Sequence, residues 1–353
     1  MNKIINIAAL SLSSSLACAS PLTLSGEVEV QLAPKTINGV VYPLIFKLPT
    51  YQLSVQAQHF LRQQLADYPK NKVYSSSYAN ELPRKINLGM ELTPVLNQGR
   101  HGSCVTFAVT AAIDAVLGAG DYISQLCSLE LGGYLAIHDK MGASGWDGTY
   151  GAWVIQQINE YGIISQNYQK MHGCAGVYEY PVAEETNQGQ LMSENDFLAH
   201  SIPIANLIEW NTLLQDEEAF SSKTNTDQLI PQIKEELAKG NRLAMAMLLD
   251  VDQGHAGALG SYHAANDTWM LTQEIITDAM SGSISAGHEL VIIGYDDDAE
   301  VKNEAGITNK GLFTLRNSWS KLAGDQGNYY VSYDYLKFLV TEASSLHLKA
   351  KTE

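Results

Sequence analysis

The chain has 353 residues, of which 45% are hydrophobic and 17% are charged, so we expect a packed globular core of one large domain with an appendage, or of two domains. The formal net charge of −16 argues against nucleic acid as a partner, because that binding is driven by Lys and Arg against phosphate. The acidic balance is compatible with any soluble secreted enzyme.

The first 19 residues have the pattern of a secretory signal. Lys3 precedes a short apolar run, and residues 17–19 form an A-x-A cleavage site. We therefore predict cleavage after Ala19 and a secreted or periplasmic protein, and the alternative is a lipoprotein anchor on Cys18. No later stretch has the 18 or more consecutive apolar residues of a membrane-spanning helix, so we expect no membrane span.

Residues 20–80 predict a β-hairpin, a helix and an extended linker. Residues 27–32 alternate between polar and apolar as a half-buried strand does, and residues 40–48 form a second β-rich run. Asn38-Gly39 between the two runs is a strong hairpin-turn signal. An amphipathic helical pattern and a polar stretch at 70–80 follow. The segment is too small to be secure alone, so we expect it to pack on the main domain.

A glycine-bearing turn at 98–103 leads into an apolar stretch that predicts a buried helix starting next to Cys104. Unpaired N–H groups and the dipole at a helix N-terminus lower the pKa of a thiol, and the thiolate is the nucleophile that cysteine chemistry needs. The other interpretation is an inert buried thiol, which is common for Cys. Removal of the signal leaves three cysteines, and an odd number in an exported protein indicates one free thiol.

Five segments resemble, in order, motifs of the papain family of cysteine peptidases. Leu82-Pro83 and the run 93–99 resemble the start of the mature enzymes. The window 101–105 matches the C-G-[SA]-C-[WY] signature at its Gly, Ser and second Cys. The segment 285–295 resembles the motif around the catalytic His, and 317–319 reads Asn-Ser-Trp as around the orienting Asn. The resemblance implies an α+β, papain-like two-lobed fold, with a helical lobe facing a β-rich lobe across a cleft.

The resemblance implies catalytic roles for four residues. Cys104 is the nucleophile, and His288 is the general base and acid. Asn317 orients the imidazole, and Gln98 donates to the oxyanion together with the N–H of Cys104. Trp319 shields the bond between His288 and Asn317 from water. This predicts hydrolysis of peptide bonds by a Cys-His-Asn triad, with no metal and no organic cofactor.

The resemblance also implies a substrate-binding surface on both sides of the cleft, made of Gly102, Ser103, Gly148, Thr149, Tyr150, Gly287 and Glu289. Gly148 and Thr149 match paired glycines whose backbone binds an extended substrate, and the Cβ of Thr149 is expected to crowd that substrate. Glu289 lines the pocket for the second residue before the scissile bond, where a carboxylate favours a basic or polar side chain. The alternative for Glu289 is an orientation toward solvent.

One disulfide follows from the resemblance. Cys127 and Cys174 stand where the second bridge of the family lies, and their pairing leaves Cys104 as the free thiol. His101 replaces a half-cystine of another family bridge, and Trp146 stands where its partner would be. The loss of both halves is self-consistent, so we expect no bridge there.

The signal pattern and the resemblance together divide the chain into a signal peptide at 1–19, a pro-segment at 20–80 and a peptidase domain at 81–353. The peptidase domain carries an insertion near 175–230. We expect a monomeric, latent zymogen whose substrate is a peptide or protein and whose own pro-segment is the intramolecular inhibitor. The hairpin and helix are expected beside the cleft, with the polar tail near 73–78 running through it. A rival hypothesis makes residues 20–80 a permanent targeting or adhesion module.

Two other functions remain open from the sequence. The departures at Val105, Thr149 and Ser320 are compatible with an exported binding protein that kept the fold and lost catalysis. The same triad also serves acyltransferases and isopeptidases, and the sequence does not separate these activities from hydrolysis.

Overall fold

The computed structural model describes residues 20–66, 68, 82–183 and 191–349. The predicted signal peptide at 1–19 and the expected path of 73–78 through the cleft lie outside these residues. Among the helices of the described ranges, none combines the length and hydropathy that crossing a membrane requires.

The N-terminal hairpin and helix that the sequence predicts are present, and the hairpin is longer than predicted. Strand β1 spans Leu22–Ile37, β2 spans Val40–Leu53, and α1 spans Val55–Ala66. The strands pair antiparallel over most of their length, and the turn joining them is Asn38-Gly39. Both turn residues have positive φ, 52° and 79°, as a two-residue hairpin turn of this twist requires.

The helical lobe is built around one buried helix. After the short strand β3 (Lys85–Asn87), helix α2 spans Cys104–Leu117, and every side chain from 104 to 115 is buried. Gly118, with φ 62°, ends α2 in the left-handed conformation that glycine adopts without strain. The remaining helices of this lobe are α3 (Gln125–Ile137), α4 (Gly151–Tyr161), α5 (Gln166–His172) and α6 (Glu194–Leu198).

The second lobe is a β-sheet flanked by helices. Its strands are β4 (Ile208–Leu214), β5 (Arg242–Leu249), β6 (Gly260–Ser261), β7 (Thr268–Trp269), β8 (Ala286–Asn303), β9 (Thr308–Arg316), β10 (Asn328–Ser332) and β11 (Val340–Leu348). Its helices are α7 (Thr226–Ala238), α8 (Gln273–Ser281) and α9 (Tyr333–Leu339), with short 3-10 turns at Asp216–Glu218, Val251–Gln253 and His255–Gly257. The molecule is therefore α+β, as predicted.

Strand β8 is the hub of the sheet. On one side it pairs with β5, which leads through β11 to β4, and on the other it pairs with β9. It also pairs with β3, and with β2 through the single pair Thr50 and Ala286. The N-terminal hairpin is thus continuous with the sheet that carries His288.

The hairpin and α1 share the core of the β-rich lobe. Leu22, Val30, Phe46 and Leu48 are buried in the same cluster as side chains of β5, β8 and α9. Gln58 of α1 donates to the carbonyl of Ala279 at the end of α8, where carbonyls lack helical partners. The expectation that this segment packs on the main domain is confirmed.

The cysteines are arranged as predicted in the described chain. Cys127 of α3 and Cys174 form a disulfide, and Cys104 is free and buried. At the position of the missing family bridge, the rings of His101 and Trp146 contact edge to face with centroids 5.0 Å apart. Tyr180 stacks on Trp146 at 5.8 Å, so an aromatic cluster occupies the position of that bridge.

Candidate active site

Cys104 is the first residue of α2 and has no exposed surface. Burial raises the pKa of its thiol to about 12, although backbone N–H groups around the sulfur act in the opposite direction. The expectation of a lowered thiol pKa is therefore wrong for this structure. Partial charges at a helix N-terminus do not compensate for the complete removal of water from the thiolate.

His288, Asn317 and Trp319 come together as predicted. The imidazole Nε2 of His288 donates to Oδ1 of Asn317 over 2.8 Å. Its Nδ1 is buried and has no hydrogen-bond partner among the described residues. The indole of Trp319 stacks on the imidazole, with centroids 4.5 Å apart. Burial lowers the pKa of His288 to about 4, so the closed site holds a neutral imidazole in the same cavity as the neutral thiol of Cys104.

The side-chain amide of Gln98 is fixed at the cleft by three hydrogen bonds. Its Oε1 accepts from the hydroxyl of Ser318 over 2.8 Å. Its Nε2 donates to the carbonyl of His101 over 3.1 Å and to the carbonyl of Lys47 over 3.2 Å. Lys47 belongs to β2. A carbonyl of the hairpin therefore accepts a hydrogen bond from the amide of Gln98, which the sequence analysis assigns to the oxyanion.

Strand β2 contacts three of the predicted substrate-binding residues, Gly148, Thr149 and Gly287. A Cβ placed on Gly148 would lie 2.6 Å from Cβ of Pro49, which shows how closely the hairpin approaches this backbone. The hydroxyl of Tyr51 donates to the carbonyl of Thr149 over 2.8 Å, and its ring lies against Gly287. Pro49 and Tyr51 of β2 therefore contact both sides of the predicted cleft.

Strand β1 contacts the same surface. Glu27 accepts from the N–H of Gly102 over 3.0 Å, and Glu29 pairs with Arg100 over 2.8 Å. The hydroxyl of Tyr150 donates to the carbonyl of Leu22 over 3.2 Å. Ser103 instead bonds to the hydroxyl of Tyr180 at 2.8 Å, within the aromatic cluster.

The expectation that the hairpin lies beside the cleft is thus corrected, because it lies across the cleft. The physical reason is the burial pattern of β2, in which Leu44, Phe46, Leu48, Pro49 and Tyr51 are all buried. The cleft offers the apolar surface that these side chains need.

Glu289 points into a closed cavity next to the thiol, not toward solvent, and only 1% of its surface is exposed. Glu342 of β11 reaches the same cavity and accepts from the N–H of Gly151 with both oxygens, over 2.9 and 3.0 Å. A Cβ on Gly151 would lie 3.0 Å from one oxygen of Glu342 and 3.3 Å from one of Glu289, so the two carboxyl groups converge. Asp216 also lines this cavity.

These three carboxyl groups hold protons more tightly than usual. Burial, then the neighbouring Glu342, raise the pKa of Glu289. Burial raises the pKa of Glu342 to about 7, and burial with Glu217 raises that of Asp216 to about 6. The sequence analysis missed Glu342 and Asp216, because neither lies in a recognisable motif and only the fold brings them to Glu289. In the described ranges, no group of three His, Cys, Asp or Glu is placed to hold a metal ion.

A family model matches more than half of the chain. The family model described as papain family cysteine protease matches residues 82–345. No curated protein sequence matches the chain.

Among solved structures, xylellain, a cysteine protease from Xylella fastidiosa, has a TM-score of 0.48 and 16% identity over 80% of this chain and 94% of its own. Digestive procathepsin L 3 from the larval midgut of Tenebrio molitor has a TM-score of 0.45 and 15% identity over 82% and 79%. The bromelain protease of Ananas comosus has a TM-score of 0.44 and 15% identity over 76% and 100%.

The closed site predicts a very unreactive thiol in the full-length chain. We expect iodoacetamide to alkylate Cys104 of the native chain at pH 7.5 at least about 100-fold more slowly than in the urea-denatured chain, because burial and a raised pKa remove the thiolate. Mass spectrometry of the peptide containing Cys104 measures both rates. Equal rates in the two states would contradict the closed arrangement.

Proposed function

The chain belongs to the papain family of cysteine proteases, and we propose that it hydrolyses peptide bonds through Cys104, His288 and Asn317 once the N-terminal hairpin has left the cleft. One observation carries this proposal. The bond from His288 to Asn317, covered by Trp319, orients the imidazole in the cavity that it shares with Cys104.

The proposed reaction follows from these positions. With Nε2 bonded to Asn317, Nδ1 of His288 is the atom that takes the proton from the thiol of Cys104. The thiolate attacks the carbonyl carbon of the scissile bond, and the N–H groups of Gln98 and Cys104 stabilise the oxyanion. The imidazolium gives its proton to the leaving nitrogen as the C–N bond breaks. Water then attacks the acyl-enzyme with His288 as base, which releases the acid and restores the thiol.

Residues 20–80 are proposed as a pro-segment that keeps the precursor latent in two ways. The first is steric, because Pro49 and Tyr51 cover Gly148 and Thr149, and the carbonyl of Lys47 occupies the amide of Gln98. The second is electrostatic, since burial under the hairpin favours the neutral thiol and the neutral imidazole over the ion pair. Removal of the hairpin would restore water to both groups and so permit the ion pair.

Two further features of the proposal concern export and the rival functions. Export rests on the signal pattern at 1–19, and a disulfide between Cys127 and Cys174 fits an oxidising compartment. A binding protein that had lost catalysis would not need Gln98 held by Ser318 or His288 held by Asn317. These retained bonds favour an active peptidase.

The pocket beneath Cys104 supports a preference in the substrate. Glu289 and Glu342 line it, and no Lys or Arg stands among its described lining residues. Once the site is open and hydrated, the ionised pair would attract a basic side chain at the second position before the scissile bond.

Substitutions in the triad should separate its roles. We expect Cys104→Ala and His288→Ala in the processed enzyme to lower kcat/KM on peptides by about 10⁴-fold or more, because nucleophile or base is lost. Asn317→Ala should retain weak activity, since only the orientation of the imidazole is lost. Asn211→Ala, at an exposed position on β4, is the matched control and should keep full activity. Full activity of the Cys104→Ala enzyme would end the proposal, with circular dichroism checking that each variant is folded.

Latency should depend on residues 20–80. We expect limited proteolysis near residue 80, followed by removal of the released segment, to raise activity on a fluorogenic peptide at least about 100-fold, because the cleft becomes free. The measurement compares equal amounts of protein before and after cleavage. Equal activity would remove the pro-segment assignment and leave the triad standing.

The acidic pocket should be visible in a peptide-library profile. We expect the processed enzyme to prefer Lys or Arg at the second position before the scissile bond, and Glu289→Gln to reduce that preference at least about fivefold, because one charge is lost without a change of shape. Glu274→Gln, an exposed position on α8, is the matched control. A profile that Glu289→Gln leaves unchanged would refute this role.

A further inference from the structure

The cavity beneath the hairpin has an unusual balance of charge. Asp216, Glu289 and Glu342 all face it, and its described lining includes no Lys or Arg. One oxygen of Glu289 is buried without a hydrogen-bond partner among the described residues. The N–H of Gly151 donates to Glu342 and not to Glu289. Such a group of carboxyls cannot remain fully ionised without a cation, because each buried charge raises the cost of the next.

The hairpin forms the roof of this cavity. Leu22 of β1, with Pro49 and Tyr51 of β2, closes it above the carboxyl groups. Two hydrogen bonds join the hairpin to the sides of the cavity. The hydroxyl of Tyr51 donates to the carbonyl of Thr149, and the hydroxyl of Tyr150 donates to the carbonyl of Leu22. With the roof in place, Glu289, Asp216 and Glu342 are only 1%, 7% and 9% exposed, so separation of these contacts would bring water to them. Opening of the hairpin and hydration of the carboxyls are therefore one event.

We propose that the hairpin and the three carboxyl groups beneath it form a proton-linked latch, which holds the precursor closed in acid and releases it as the pH rises to neutral and above. The closed form keeps protons on the carboxyls, and the open form, in which they are hydrated, gives protons up. This inference concerns the closed precursor and does not require that the proposed peptidase activity be correct.

The sign follows from the pKa of each group. The pKa of Glu342, about 7 in the closed form, exceeds its usual 4.5, and the pKa values of Glu289 and Asp216 are also raised. Groups of this kind stabilise the closed form fully below their usual pKa, and this contribution is lost as the pH rises through the closed-form pKa. Each proton released on opening shifts the closed–open equilibrium about tenfold per pH unit.

Four other titratable groups stand among the described residues that line the cavity, and none of the four reverses this sign above pH 6.5. They are Tyr51 of β2, Cys104 of α2, Tyr150 and His288 of β8, while Glu217 lies beside Asp216. The pKa of His288 is lowered from 6.5 to about 4, so this residue favours opening in acid and opposes the latch only below pH 6.5. Burial raises the pKa values of Tyr51 and Tyr150 further above 10, and that of Cys104 to about 12, so all three stay protonated near neutrality.

Hydrogen exchange in the full-length Cys104→Ala precursor, which cannot process itself, tests the latch. The amide of Tyr51 donates to the carbonyl of Ser285, a bond from the hairpin to the peptidase domain that opening must break. We expect its protection factor, corrected for intrinsic exchange, to fall at least about tenfold between pH 6.5 and 8.0, since about one proton is released. Protection that is constant or rises over this range would overturn the proposal.

Glutamine variants supply the matched comparison. Adding Glu289→Gln and Glu342→Gln to the same precursor should remove most of the fall in protection, because the amides keep the shape of the protonated acids and cannot ionise, and Asp216, with a pKa of about 6, has lost most of its proton by pH 6.5. Glu274→Gln, an exposed position on α8, should leave the fall intact. If the double variant does not fold, Glu342→Gln alone should reduce the fall. A fall that persists unchanged in a folded Gln variant would assign the pH dependence elsewhere and overturn the latch.

Discussion

The ring of Phe46 stacks on Trp319 with centroids 5.2 Å apart, and Trp319 in turn covers the imidazole of His288. This column of three rings joins the N-terminal hairpin, the loop after β9 and the strand β8. Burial of an apolar side chain of this size contributes about 1.5–3 kcal/mol, and Leu48 and Tyr51 of the same strand are buried beside it. Closure of the cleft and completion of the core are therefore the same packing event.

That packing has an electrostatic consequence. The hairpin removes water from a thiol, an imidazole and three carboxyl groups, and each responds by favouring its neutral form. The apolar contacts of β2 must offset the cost of holding these groups neutral. The groups that would supply chemistry in an open enzyme are thus the ones that make the closed form sensitive to its surroundings.

The sequence predicted what is encoded locally. Gln98, Cys104, His288 and Asn317 lie in short segments whose residues resemble a known family, and the structure brings the last three and the amide of Gln98 to one cleft. Asn38-Gly39 between two β-rich runs likewise predicted the hairpin, because that turn needs positive φ at both residues.

The sequence did not predict what depends on distant contacts. The place where the hairpin docks is set by complementarity between β2 and a cleft whose walls lie far along the chain. The direction of the thiol pKa was predicted from the helix N-terminus alone, and the complete burial of Cys104 reverses it. Leu22, Pro49 and Tyr51 of the distant hairpin line the cavity that Cys104 shares. Glu342 reaches Glu289 only through the pairing of β11 with β5 and of β5 with β8.

If the hairpin alone keeps an otherwise assembled site closed, an uncut Phe46→Ala chain should be active. Truncation of a buried Phe costs about 3–5 kcal/mol, so it should populate the open form without any cut in the chain. We predict that the intact variant cleaves a fluorogenic peptide at least about 100-fold faster than the intact wild-type precursor. Ile37→Ala, at an exposed position near the hairpin turn, should stay latent. An intact, folded Phe46→Ala chain that is as latent as the wild type would show that the hairpin does not hold the site closed.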